Sequence, residues 1–417
     1  LIDGGCNPGS LKSIPDRSGT CNSSRKPAES CAKSRRRPAR TRCIIASEVG
    51  HALVFERILD VPTGTQEVLA PADLHHDAAI RLAARIVEGF CGRALHLRDL
   101  LGGQHQVMTS HSLETKDFAR LLGHPEDRLP PECLAEIARC DWRYDWIEGE
   151  QLDDVVTGLL ERIRRKEFSI VVPGDKSRWV KGWGENLTDF VASKGDVDAL
   201  APKYVRPNMP VRLYRRYAQP IEPNFEQNWR KVYQEWLFRT HMADSEQIFE
   251  FGCGSGGHVS VLAQMFPDKK ITGLDWAEPS CEIINNMKRL RGWNTEGRLF
   301  DFYKPDYDIE IPPNSVVYTF AALEQVSDSF GAFVDFLLAK RPKLCVFVEP
   351  IYEWYDPANF IDHLAMRGHA VRNFLHGMPR ALRALQAEGR IEIVKEHRVE
   401  FGSLLHEGYS QTIWRPV

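Results

Sequence analysis

Four glycines within six residues, Gly252, Gly254, Gly256 and Gly257, interrupt the stretch QIFEFGCGSGGHVSVL at 247–262. An apolar run precedes them and a helical pattern follows, the setting in which a glycine-rich turn brings backbone close to a ligand. No Gly-Lys-Ser/Thr closes the turn, so it is not a triphosphate-binding loop. Gly252, Gly254 and Gly257 also satisfy the dinucleotide pattern G-x-G-x-x-G. Glu250 separates the remaining ligands. A dinucleotide sets its pyrophosphate over the helix N-terminus, and a carboxylate two residues ahead of the first glycine puts negative charge near that anion. Such a carboxylate suits a ligand with a cationic amino group and no phosphate.

The elements that must position these residues follow a strand-then-helix rhythm. Strands are expected at 247–251, 270–275, 297–301, 315–320 and 343–349, and helices at 256–266, 278–291 and 329–340. That alternation predicts a parallel sheet covered on both faces. A helical region at 357–388, interrupted near Gly377 and Pro379, leads to two last strands within 390–401 and 409–416. Their short connection predicts an antiparallel pair.

The stretch FEFGCGSGGH resembles the nucleotide-binding motif of class I S-adenosylmethionine-dependent methyltransferases, an acidic residue, any residue, then G-x-G-x-G. Glu250, Gly252, Gly254 and Gly256 match it position by position. The resemblance covers about 245–417 and implies a Rossmann-like seven-stranded α/β sheet, parallel with a terminal antiparallel hairpin, that binds S-adenosylmethionine. Asp275, 25 residues after Glu250, is placed to accept hydrogen bonds from both ribose hydroxyls. Asp301 of RLFDF falls near the adenine amino group, with Phe302 beside the ring. Trp276 and Ala321 are counted with this cofactor side. Gln325 of TFAALEQV stands where the family commonly has His, a departure that takes a base away from this position.

Methyl transfer from a sulfonium is an in-line displacement, and a hydroxyl acceptor must also lose a proton. A base is expected beyond the fourth and fifth strands, where open α/β sheets bind ligands. Glu349 ends the fifth strand and Tyr352 follows in the loop. His363, His369 and His376 come next, and Glu349, Tyr352 and His376 are the catalytic candidates. Capping of the following turn is the alternative role for Glu349. The nucleic-acid amino-methylating branch of the family carries Asn/Asp-Pro-Pro-aromatic after strand four, which is absent here. EPIYEWYDP and LEQV look most like methyltransferases of sugar, polysaccharide or secondary-metabolite pathways. Arg and Trp in KSRWVKGWGENL are the residue types that read sugar hydroxyls.

The 417 residues, 43% hydrophobic and 27% charged, are those of a globular protein. Residues 1–43 hold ten Lys or Arg against three acids, so this segment is +7 and the rest of the −3 chain is −10. That balance argues against a nucleic-acid partner. No apolar run approaches the roughly 20 residues of a membrane span. Ten cysteines without C-x-x-C spacing predict free thiols in a reducing cytoplasm and no metal site, and Cys91, His96 and His124 do not assemble one. The expected organisation is a disordered basic tail at 1–43, a mostly α-helical substrate-cap region at 44–240, and the cofactor domain at 241–417. Met108 is a candidate natural start. Within 44–240, helices are expected at 75–102, in PPECLAEIARC and QLDDVVTGLLERIRRKEF, and around Phe225, Trp229, Val232, Tyr233 and Trp236. SIVVPGDKSRWV reads as a short strand and loop leading into a helix. The partner is a small-molecule acceptor, with a homodimer left open. A nicotinamide oxidoreductase and a non-catalytic scaffold in a biosynthetic complex are the competing functions.

Overall fold

The computed structural model describes residues 41–43, 59–61, 110–203 and 206–417. The tail up to residue 40 and the helix expected at 75–102 lie outside the described residues. Contacts divide the chain into Leu1–His105 and Gln106–Val417. In the first unit, Thr41–Cys43 pairs antiparallel with Leu59–Val61.

Elements of the second unit are numbered from its start. Its first half contains β1 (His111–Ser112), α1 (Thr115–Leu122), α2 (Pro131–Arg139), β2 (Arg143–Trp146), α3 (Gly149–Arg165), α4 (Ser177–Ala192), β3 (Val211–Leu213), β4 (Arg216–Pro220) and α5 (Phe225–His241). Then β5 (Gln247–Phe251), α6 (Gly257–Met265), β6 (Lys270–Asp275), α7 (Glu278–Arg291), β7 (Thr295–Leu299), β8 (Ser315–Phe320), α8 (Gly331–Lys340) and β9 (Leu344–Val348) alternate as expected. The chain ends with α9 (Phe360–Arg372), α10 (Met378–Ala387), β10 (Ile391–His397), β11 (Phe401–Gly402) and β12 (Gln411–Pro416).

Seven strands form one sheet in the order β10-β12-β9-β8-β5-β6-β7. The neighbours from β9 to β7 are parallel, and β12 runs antiparallel to both β9 and β10. The central parallel strands β5, β6, β8 and β9 are largely apolar because helices cover both their faces. Alternation along β5 shows the two sides: Ile248 belongs to the core shared with α5, α6 and α7, whereas Phe249 and Phe251 pack with Phe333 and Phe336 of α8. Glu250 falls on the Ile248 side, and its register partner on β8 is Tyr318.

The region before residue 241 holds the expected helices α2, α3 and α5, and Phe225, Trp229, Val232, Tyr233 and Trp236 are all buried on α5. It also contributes to a second, five-stranded antiparallel sheet, β11-β3-β4-β2-β1. The strand expected at the start of SIVVPGDK does not form; this segment meets the fold through a Val171 N–H donated to the Arg372 carbonyl (2.9 Å). The link between the two last long strands is not short either. Residues 398–410 leave the large sheet so that Phe401 pairs with Leu213 in the small one. A buried ion cluster ties this link down: Arg212 and Arg398 both reach Asp362 (2.6 and 2.7 Å) and Glu407. Among the described residues no helix is long and apolar enough to cross a membrane.

Candidate cofactor and active site

The glycine loop joins β5 to α6, and each glycine answers a different constraint. Gly252 (φ +77°) has no room for a side chain, since a Cβ there would lie 2.3 Å from the Ala322 Cβ. Gly254 (φ +51°) carries the Trp183 indole, 3.0 Å from where its Cβ would stand. A Cβ on Gly256 would strike Ile284 and Met287 of α7, so this glycine lets that helix pack against the loop.

Asp275 ends β6, and its carboxylate organises the loop. Oδ2 accepts the Gly254 N–H and Oδ1 the Ala277 N–H, both at 2.9 Å. Burial lifts this carboxyl to about 6, although these N–H donors favour the ionised form. With Gly252 and Gly254, Asp275 lines a cleft at the carboxyl edge of the sheet. Trp276, Phe302 and Ala321 line it as well, so six of the residues singled out in the sequence meet in one place. Ala321 sits there with φ +50°, a strained conformation of the kind found beside ligands.

The other expected residues do not line this cleft. Glu250 is 1% exposed within the core beside Tyr318; burial lifts its carboxyl to about 8, and its Oε2 has no hydrogen-bond partner. Asp301 caps its own turn, accepting the Tyr303 N–H (2.8 Å). Glu349 is fully buried and takes the capping role: Oε1 accepts the N–H groups of Ala322 (3.1 Å) and Leu323 (3.0 Å), and Oε2 that of Glu324 (3.1 Å). Burial, and then the nearby Glu324 carboxyl, raise it to about 8. Tyr352 is half-buried in a short helical turn against the His369 ring, 6.3 Å away. His376 is exposed and bonds the Phe374 carbonyl (3.1 Å).

The cleft has walls that the motif reading did not name as cofactor contacts. Trp179 and Trp183 come from α4, where i,i+4 spacing puts both on one face, and their rings stack at 5.6 Å and 18°. Lys176, just before α4, donates to the Trp276 carbonyl (3.0 Å) and the Glu278 carboxylate (2.6 Å). Arg178 donates to Gln325 Oε1 (2.5 Å), while Gln325 Nε2 donates to Glu324 Oε1 (2.6 Å). Gln325, Val326 and Tyr303 complete the wall. In the sequence these tryptophans stood out only as residue types that read sugar hydroxyls; their W-x-x-x-W spacing by itself describes any helix face.

Strand order and glycine loop together define a class: this domain has the class I S-adenosylmethionine-dependent methyltransferase fold, with the seventh strand reversed. No protein-family model matches the chain. It is similar to a trans-aconitate 2-methyltransferase of Escherichia coli (strain 55989 / EAEC), 23% identical over 143 residues, which are 32% of this chain and 48% of that one. The chain thus spans about half the length of that relative. Among solved structures it is similar to a SAM-dependent methyltransferase from Aquifex aeolicus, 12% identical over 44% of this chain and 89% of the other, TM-score 0.32. A second is geranyl diphosphate methyltransferase in complex with GPP and sinefungin, 15% identical over 58% and 98%, TM-score 0.33.

Proposed function

We propose that this protein is an S-adenosylmethionine-dependent methyltransferase that acts on a small molecule, at a hydroxyl of a sugar or secondary metabolite. The observation that carries the reading is the Asp275 carboxylate, which lines one cleft with Gly252 and Gly254 on a sheet of this strand order. The cleft fits the cofactor that motif and fold imply. Each Asp275 oxygen accepts one backbone N–H and keeps lone-pair capacity for a ribose hydroxyl. The room a Cβ would need at Gly252 is already taken, so backbone itself forms the floor. Trp276, Phe302 and Tyr303 supply aromatic surface for a purine, and Asp301 immediately precedes Phe302 and accepts the Tyr303 N–H. The bound cofactor would supply the electrophilic methyl group.

For the acceptor, the support is residue types. Trp179 and the Gln325 amide line the cleft, and Arg178 bonds Gln325; such groups bind hydroxyls by hydrogen bonds and stacking. The name of the Escherichia coli relative adds small carboxylic acids to the acceptors worth screening. Asp275 and Tyr303 are the titratable side chains among the described residues lining the cleft. A base drawn from Glu349, Tyr352 or His376 therefore needs the acceptor to extend beyond it.

Isothermal titration with S-adenosylhomocysteine, NAD and NADP tests the reading. Micromolar binding of S-adenosylhomocysteine alone is expected. Binding of a dinucleotide in its place overturns the reading in favour of an oxidoreductase. Cofactor binding without turnover on a screened acceptor panel points to the scaffold.

A further inference from the structure

In the sequence, Glu250 was the group expected to meet the positive charge of the ligand, yet the fold seals it in the core, where it does not line the cleft. Asp275 is the only carboxylate among the described residues lining the cleft, and it already holds the loop backbone. A cofactor with a sulfonium and an ammonium needs compensation from something else. The remaining walls are aromatic and aliphatic apart from Gln325. Aromatic faces attract cations, tryptophan most strongly, and more so away from water.

The tryptophan pair is built for this. The Arg178 guanidinium lies 4.4 Å from the centroid of the Trp179 ring, so one cation already uses this surface. Trp179 stacks on Trp183, and Trp183 in turn lies against Gly254 of the cofactor loop. The Lys176 bonds to Trp276 and Glu278 clamp the start of α4 beside the loop. Both indoles are half-buried, which limits competition from water.

We propose that Trp183, backed by Trp179, is the surface that recognises the sulfonium of the cofactor. The inference rests on the methyltransferase reading. It makes Trp183 a determinant of discrimination between S-adenosylmethionine, which carries the sulfonium charge, and S-adenosylhomocysteine, which lacks it and one methyl group.

The test is calorimetric titration of the full chain with each of these two ligands, in the wild type and in Trp183→Leu and Trp183→Phe. The ratio Kd(S-adenosylmethionine)/Kd(S-adenosylhomocysteine) cancels the contacts the ligands share. In Trp183→Leu this ratio is expected to rise between about 2- and 30-fold over wild type, and in Trp183→Phe by a smaller factor. An unchanged ratio in Trp183→Leu, with both ligands still binding, overturns the proposal. Should that variant not fold, Trp183→Phe decides, and a ratio that does not rise there overturns it equally. Failure of both ligands to bind the wild type instead brings down the cofactor reading itself.

Discussion

Asp275 at the end of β6 and Glu349 just past β9 perform the same local task in opposite surroundings. Each carboxylate gathers backbone N–H groups from a loop at the carboxyl edge of the sheet, two for Asp275 and three for Glu349. Burial raises both, to about 6 and about 8. Only Asp275 lines the cleft; Glu349 is closed over by the loop it caps. A carboxylate at a strand end is thus a loop organiser first. Whether it also meets a ligand depends on what covers it.

The comparison can be broken most forcefully at Glu349. Glu349→Ala strips three buried N–H groups of their acceptor, each costing roughly 1–3 kcal/mol. A loss of about 3 kcal/mol or more is expected in urea unfolding; a loss below about 1 kcal/mol would mean that the loop does not depend on this cap. Next comes Gly252→Ala. It combines a left-handed conformation, about 1–2 kcal/mol, with overpacking against Ala322, about 1–3 kcal/mol, and should abolish S-adenosylhomocysteine binding. Retained affinity would show that the loop can move away from Ala322.

Asp275→Ala should weaken S-adenosylhomocysteine by roughly 1.5–3 kcal/mol for each charge-assisted bond lost, at least about tenfold in titration. Glu349→Gln should leave that affinity within about twofold. Equal losses in the two variants would erase the distinction between the regions.

Both carboxyls also predict a dependence on pH. A carboxyl whose pKa is raised on folding binds more protons in the native state, so its contribution to stability is full below the unfolded value and fades as pH rises. For Glu349 the window runs from the ordinary carboxyl value near 4.5 to about 8. Glu349→Gln should therefore gain stability relative to wild type between pH 5 and 8, as followed by urea melts. For Asp275 the same raised value predicts that S-adenosylhomocysteine affinity weakens below about pH 6, where the acceptor carboxylate is lost. A flat affinity from pH 5 to 8 would remove Asp275 as an ionised partner.

Much of the large sheet was legible because its central strands β5, β6, β8 and β9 are buried on both faces and therefore read as largely apolar runs. β5, β6 and β8 fall at the expected residues, and β7 starts two residues earlier than expected. The small sheet was not legible. Its strands are two to five residues long, and the β3–β4 turn places Tyr214 and Arg215 at positive φ, where Asn-Gly is the usual signal. Its edge strand arrives from residue 401, a pairing no local pattern announces.

By itself the sequence determined the order of the sheet elements, the glycine loop and the Asp275 position, because backbone conformation and strand burial are encoded within a few residues. Tertiary structure alone decided which polar groups line the cleft. Alternation along β5 turns Glu250 toward α5 and α6, and the loop after β8 folds over Glu349. Packing of α4 against α7, with the Lys176 bonds at its start, brings Trp179 and Trp183 onto the cofactor loop from some 70 residues upstream. Such contacts arise from the closing of helices and loops over the sheet, and no spacing within a segment records them.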